Sequence, residues 1–254
     1  MAIEVISNAL VLAGAYNLSG VANAVTVTDG ADIKDATVLS SVGRVRKAGM
    51  RSAAARVEGY REATADTGLA AGLALTDVPF SVAHANTENA IAYTFKALYA
   101  DMVPLGGAVG DMARMSLTAE SSSGAVATPA VTATVRPLIR GILGTHQTAA
   151  IIDGASTKFQ LGDVDAAQYL YGALHVYSAS GTSPTLDVTL ESDPDASAGS
   201  ETTRLTFTQK TAIGYQWATP VVGAPFTDTY WRVKWVIGGT NTPTFAFAVV
   251  FGIL

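Results

Sequence analysis

The feature that most constrains this chain is alternation. From Tyr230 to Val236, Trp231, Val233 and Trp235 fall on one face of an extended strand, with Arg232 and Lys234 on the other. A period of two is the side-chain repeat of a half-buried β-strand. The pattern recurs at Leu186, Val188 and Leu190 against Asp187 and Thr189, and at Leu205 and Phe207 against Arg204 and Thr206. Near the end, Phe245, Phe247, Val249 and Phe251 share a face while Ala246, Ala248 and Val250 take the other, so that strand can be covered on both sides. Turn signals lie between these segments at Ser180–Pro184, Ser192–Asp195 and Gly238–Asn241. Glycine supplies positive φ there, and Pro and Asx residues set the turn geometry. Short strands at this spacing describe an antiparallel sandwich or barrel.

The first half carries the same signal less cleanly. Asn8–Leu12 and Val21–Thr28 read as two strands of an early hairpin around Tyr16–Gly20, and Gly30–Gly49 follows as a polar segment without clear period. Ser52–Tyr60, Val78–His84, Ala90–Tyr99 and Arg114–Glu120 are the next strands. In Ala90–Tyr99, Ile91, Phe95 and Leu98 also sit at helical spacing, but Tyr93, Phe95, Ala97 and Tyr99 share a strand face, and aromatic content favours the strand. The Ser/Gly and Ala/Thr/Pro-rich stretch from Ser121 to Pro137 weakens regular structure, which places a boundary near Ile139–Thr148. The expected class is all-β, with one unit over residues 1–145 and a second antiparallel β-sandwich over 146–254.

Composition narrows the function. A chain of 254 residues buries a real core in one large or two ordinary domains. Only 15% of its residues are charged, against about 25% in an average soluble domain, which suits a surface packed against neighbours. The net charge is −5, and neither half is basic: Lys and Arg against Asp and Glu number 11 to 12 up to Gly144 and 5 to 9 after it. No electrostatic footprint for tight nucleic-acid binding is present. There is no cysteine, so disulfides, thiolate metal sites and cysteine nucleophiles are excluded. Met1–Ala15 lacks the basic start and apolar run of a signal peptide, and no apolar run reaches membrane-spanning length, so a soluble protein made in a cytoplasm is expected.

The templates of catalysis fail in turn. His84, His146 and His175 have no Gly-x-Ser-x-Gly elbow to serve and read as structural residues. Leu105–Asp111 is glycine-dense but has neither phosphate-loop spacing, so it reads as a turn. Asp193, Asp195 and Ser197 alternate like calcium ligands, yet Ala198 and Arg204 stand where an EF-hand loop needs Gly and an acid; a solvated hairpin loop is the simpler reading. Trp217, Tyr230, Trp231 and Trp235 leave a sugar-binding aromatic platform open, although Trp231 and Trp235 share a face with Val233 and so belong to a core. No enzyme and no cofactor is expected. One charge cluster stands out: Asp29, Asp32 and Asp35, followed by Arg44, Arg46, Lys47 and Arg51, with Arg56 and Arg61 beyond. Such a segment can pair its charges with those of a neighbouring copy; a solvated loop or a DNA contact is the alternative.

Two stretches carry a family likeness. The first is Ser7–Leu12, Tyr16–Val21 and Ala24–Thr28, continuing through Lys34–Thr37 to Arg44–Gly49 and Ala54–Tyr60; the second is Pro104–Asp111 with the strand that ends near Glu120. Together these resemble the major tail (tail-tube) proteins of long-tailed bacteriophages, over roughly residues 5–125. Ser52–Ala55 is alanine-rich where that family more usually has an aromatic strand. The second half, at Ser192–Asp193 and Asp228–Val233, looks like the C-terminal β-domain of some virion structural proteins. The resemblance implies a tail-tube-like β-sandwich or barrel unit whose strands join those of other copies into a ring. It implies six copies per ring, or three if the second half is a diverged second unit. Rings would stack into a tube in the virion tail, alongside other tail proteins, and DNA would pass through without specific binding. Residues 29–49, with Asp29, Asp32, Asp35, Arg44, Arg46 and Lys47, would be the loop that touches the next ring. A capsid decoration or fibre component, or a carbohydrate-binding module, remains the alternative.

Overall fold

An alternating strand leaves its backbone N–H and C=O groups to a neighbour, so strands of this kind must close into sheets. The computed structural model describes residues 8–38, 43–73, 77–122, 137–197, 199–222 and 226–254. They form one connected sheet system in which every strand pairing is antiparallel. The first half contributes β1 (Leu10–Ala13), β2 (Tyr16–Asn17), β3 (Ala22–Asp35), β4 (Arg46–Tyr60), the helix α1 (Ala63–Ala71), β5 (Val78–Ala83), β6 (Ile91–Gly106) and β7 (Arg114–Ser121). The rest contributes β8 (Ile139–Ala150), β9 (Gly154–Ala155), β10 (Phe159–Gln160), β11 (Tyr169–Asp193), β12 (Thr202–Thr206), β13 (Gly214–Trp217), β14 (Val221–Val222) and β15 (Tyr230–Ile253). The all-β class follows directly.

Three layers result. The middle one, β1–β5–β6, is buried on both faces, which explains why β1 and β5 are uniformly apolar or small. On one side Val11, Ala13, Phe80, Val82 and Phe95 meet Ala53, Ala55, Val57, Leu117 and Ala119 of the β4–β7 sheet. On the other, Leu10, Leu12, Ala83 and Ala92 meet Leu143, Ala248 and Val250 of β8 and β15. Ala53 and Ala55 of β4 are thus core residues at a close sheet-to-sheet contact. β6 serves both sheets: Ile91–Thr94 pairs with β8, while Ala97–Gly106 pairs with β7. β8 in turn pairs with β15, so the ladder runs continuously from one half to the other, and the expected boundary at 145/146 falls on β8 itself.

The second half is built from one ribbon. β11 and β15 pair from Leu170↔Ile253 to Asp193↔Tyr230, with register shifts around residues 176–185. Trp231 and Phe251 lie on the same strand twenty residues apart, roughly 66 Å if extended; their rings are 6.5 Å apart. Trp235 and Phe247 are likewise at 5.7 Å. The ribbon therefore doubles over on itself and closes one core of Leu174, Val176, Leu186, Val188, Leu190, Trp231, Val233, Phe245, Phe247 and Phe251. The fold line is the pair of turn signals read from sequence, where Gly181 (φ 105°) and Gly239 (φ 123°) adopt left-handed backbone. These segments bend the ribbon but do not end its strands, because both strands turn together and keep pairing beyond the bend.

Two further expectations are corrected. Gly30–Asp35 and Arg46–Gly49 form a two-stranded ribbon rather than an aperiodic loop: β3 and β4 stay paired from Ala22↔Gly59 out to Asp35↔Arg46. Both faces of the outer part are open to water, so no apolar period marks it. Ala63–Ala71 is a helix that the alternation gave no sign of. The Glu62 carboxylate caps it by accepting from the Ala65 N–H at 2.6 Å, and Arg61 pairs with Asp66 at 2.6 Å. Most of the Ser121–Pro137 stretch lies outside the described residues.

Candidate functional site

The β3–β4 ribbon leaves the first core at about Asp29 and brings all the charged candidates onto one projection. Asp29 pairs with Arg51 at 2.8 Å and Asp35 with Arg44 at 2.9 Å, both diagonal cross-strand contacts, while Asp32 pairs with Lys34 on its own strand. Thr37 donates its hydroxyl and its N–H to Asp35, and with Arg44 these hydrogen bonds hold the Asp35 carboxyl below the usual carboxylate range. The three acids therefore find bases within the chain. Arg46 and Lys47 make no ion pair among the described residues. The sequence reading overlooked the apolar side chains in the same place: Ile33 is 64% and Met50 86% exposed. Large apolar residues inside a polar segment were the available signal.

The sheet from which the ribbon projects runs β6–β7–β4–β3, and among the described residues it has two open edges: β3 pairs only with β4 there, and β6 beyond Ala100 only with β7. The β6–β7 turn beside that edge exposes Leu105, Val109 and Met112. It is formed by the glycine-dense segment, with Gly107 and Gly110 at positive φ, as a turn should be. The face of this sheet turned away from the core carries Thr26, Thr28, Ser52, Arg56, Glu58, Ser116, Thr118 and Glu120, with Arg56 and Glu58 paired at 2.9 Å.

Elsewhere the polar groups are used structurally. The Lys158 ammonium occupies the centre of the loop read as a calcium candidate, on Asp193 at 2.7 Å, Glu201 at 3.2 Å and the Ser197 carbonyl. Burial pulls its pKa down, but hydrogen bonds from Asp193 and Glu201 outweigh that and hold it above the ordinary lysine value. The same contact keeps Asp193 ionised below the usual range. Asp195 accepts from the Ser197 N–H at 2.7 Å, as an Asx turn does. Among the described residues no group of three or more His, Asp or Glu is placed to hold a metal. Trp231 and Trp235 are buried, their indole N–H groups donating to Gly162 O at 2.7 Å and Ile152 O at 3.1 Å. Trp217 packs on Tyr171. Of the four aromatics read as a candidate platform, Trp231 and Trp235 are buried, while Trp217 and Tyr230 are half-buried. Of the histidines, His84 bonds Ile91 O at 3.0 Å, His146 stacks near Tyr177, and His175 is wholly buried.

No protein-family model and no curated protein matches the chain. Among solved structures, the chain is similar to a component of the virion of a native gene transfer agent particle, at 17% identity over 46% of this chain and 92% of that one, TM-score 0.34. The tail of an empty gene transfer agent particle refined with C6 symmetry gives 17% identity, the same coverages and a TM-score of 0.35. The Dit protein of SPP1, described as a paradigm of the hub adsorption apparatus in phages infecting Gram-positive bacteria, matches at 11% identity over 97% of this chain and 99% of that one, TM-score 0.36. Superpositions this loose carry no argument about function.

Proposed function

We propose that this chain is a virion structural protein of a phage tail, a self-assembling tail-tube subunit. The observation that carries the reading is the four-stranded sheet β6–β7–β4–β3, both of whose edges are open among the described residues. Long bare edges are ordinarily blunted or covered, because each is a template for another strand. Four antiparallel strands place β3 and β6 in opposite directions. A head-to-tail neighbour related by rotation therefore sets its β6 antiparallel to this β3, and a ring closes without a leftover edge. The core side of the sheet is occupied, which leaves the Thr/Ser-rich outer face to line the bore. Its mixed, largely neutralised charge lets DNA slide past. One such sheet per chain fits the six-copy ring that the family resemblance implies.

The ribbon then reaches the next ring. Asp29, Asp32, Asp35 and Arg44 brace it from within, so contact with the neighbour falls to Arg46, Lys47, Ile33 and Met50. The test is negative-stain microscopy of the purified protein, which should show rings or tubes. Reversing Arg44, Arg46 and Lys47 to Glu should stop stacking while circular dichroism stays native. Unchanged tube growth in that variant would remove the ribbon from the contact, and a strictly monomeric species at high concentration would remove the tube reading altogether.

A further inference from the structure

His175 lies between the middle layer and the second half, and the assembly reading makes no use of it. There β11 and β13 face β1, β2 and β5 with no backbone ladder between them, so side chains close the contact. The His175 Nδ1 is 2.7 Å from Gly14 O, and Nε2 is 2.8 Å from the Ser81 Oγ. Ser81 Oγ is in turn 2.8 Å from Thr94 Oγ1, whose hydroxyl donates to Phe80 O at 3.1 Å. A carbonyl only accepts, so Nδ1 carries the ring proton and Nε2 accepts from the Ser81 hydroxyl. All of Ser81, Thr94 and His175 are buried. With the ring neutral, Ser81 spends its one proton on Nε2 and Thr94 its own on Phe80 O, so every contact in the chain but the Ser81–Thr94 pair holds a proton.

The described surroundings offer a charged ring hydrogen-bond acceptors but no counter-charge. β5 and β6 present Ser81 and Thr94, and β15 sets Ala248 opposite His175. The titratable neighbours are phenols: Tyr215 of β13, opposite in register and against Gly14; Tyr16 of β2 and Tyr99 of β6, which interact with each other; and Tyr177, two residues on in β11 beside His146. The Lys210 ammonium donates to the Tyr215 carbonyl at 3.0 Å, and what shifts the ring is its burial and the Gly14 carbonyl. Burial pushes the imidazole down to about 4, with the Gly14 carbonyl opposing in part.

We infer that His175 is an acid-sensitive latch between the two layers, holding β11 to β1 and β5 while its ring is neutral and releasing them as the ring takes up a proton. The Ser81 and Thr94 hydroxyls can turn to receive an Nε2–H, so protonation breaks no hydrogen bond; its cost is a buried, unpaired charge. The sign follows from linkage. Between the ordinary value of 6.5 and about 4, the opened contact binds a proton that the closed one refuses. Closure therefore weakens as pH falls through that window, by up to about tenfold per pH unit, and the effect levels off below it.

Hydrogen exchange in the full chain tests this, corrected for intrinsic rate and read at the Leu12, Val82 and His175 amides. Between pH 6.5 and 4.5 the opening equilibrium should rise by about fortyfold more in the native chain than in His175→Gln. Carboxylates titrate in both proteins and cancel in the comparison. Should the glutamine variant fail to fold, the ring protons of His175 in the unaltered protein give the second reading by NMR, with a midpoint near 4 expected. An equal pH response in both proteins, or a ring that titrates at the ordinary histidine value, overturns the latch.

Discussion

Two long antiparallel ribbons dominate this molecule, and the same backbone geometry sends them to opposite places. β11–β15 doubles over at Gly181 and Gly239 and buries its inner face as the core of the second half. β3–β4 leaves its core at Asp29 and continues outward with both faces in water. The difference lies in what alternates. Leu, Val, Trp and Phe recur along the inner face of β11 and β15, so folding the ribbon removes a continuous apolar stripe from water. In β3–β4 the apolar stripe of Val25 and Val27 is covered by the first core and then gives way to Asp29, Ala31 and Ile33. Beyond that point, cross-strand ion pairs do what apolar packing does in the other ribbon, and they do it weakly.

Truncation at matched positions should break the symmetry between the ribbons most sharply. Trp231→Ala removes a fully buried ring in contact with Phe251 and leaves Gly162 O without its donor; about 3–5 kcal/mol should be lost in urea unfolding. Ile33→Ala, on a side chain already in water, should stay within about 0.5 kcal/mol. A large loss at Ile33 in the isolated subunit would mean that the projecting ribbon packs on its own domain.

The contrast also explains what the sequence disclosed. Wherever one face is covered, alternation named both the strand and its buried side, as at Trp231, Val233 and Trp235 or at Leu186, Val188 and Leu190. Where both faces are open, period two carries no hydropathy contrast, so β3–β4 beyond Gly30 read as a loop although its charges pair across the strands. Gly181 and Gly239 were legible as positive-φ positions, but a single-strand reading cannot tell a hairpin turn from a bend shared by two paired strands. The helix α1 is short, with Ala65 and Leu69 as its buried residues, and offered no stripe to detect. The site residues were legible as charge and not as partners: which acid meets which base depends on a register that no composition reveals. Ile33 and Met50 were visible in the sequence and passed over because they interrupt no pattern.

Substituting a glycine in each ribbon should give an intermediate effect. A Cβ at Gly239 would come within 2.9 Å of Ser183 O, on a backbone at φ 123° that side chains rarely adopt. Gly239→Ala should cost about 1–3 kcal/mol. In the projecting ribbon, a Cβ at Gly30 meets open space and no positive φ stands in its way. Gly30→Ala should be neutral or stabilising by up to about 1 kcal/mol, through a less flexible unfolded chain. Thermal unfolding of the two variants side by side reads both signs. Equal losses would mean that the bend tolerates other backbones and that the doubling-over is set by the core alone.

A small effect that salt can modulate belongs to the ion pairs that stand in for a core in the projecting ribbon. Arg51 and Asp29 meet at 2.8 Å with side chains 28% and 30% exposed, the least exposed of the three pairs there. Half-wet pairs of this kind are worth about 0.2–1 kcal/mol, so Arg51→Ala should shift urea unfolding by no more than that. The loss should shrink further as salt shortens the screening length from about 10 Å at 0.1 M to about 3 Å at 1 M. The core truncation at Trp231 has no such dependence, because its loss is transfer and cavity rather than Coulombic. Measuring both variants at the two salt concentrations separates the ribbons by mechanism as well as by size. A salt-independent cost at Arg51 would show that its aliphatic stem, packed along the ribbon, matters more than its charge.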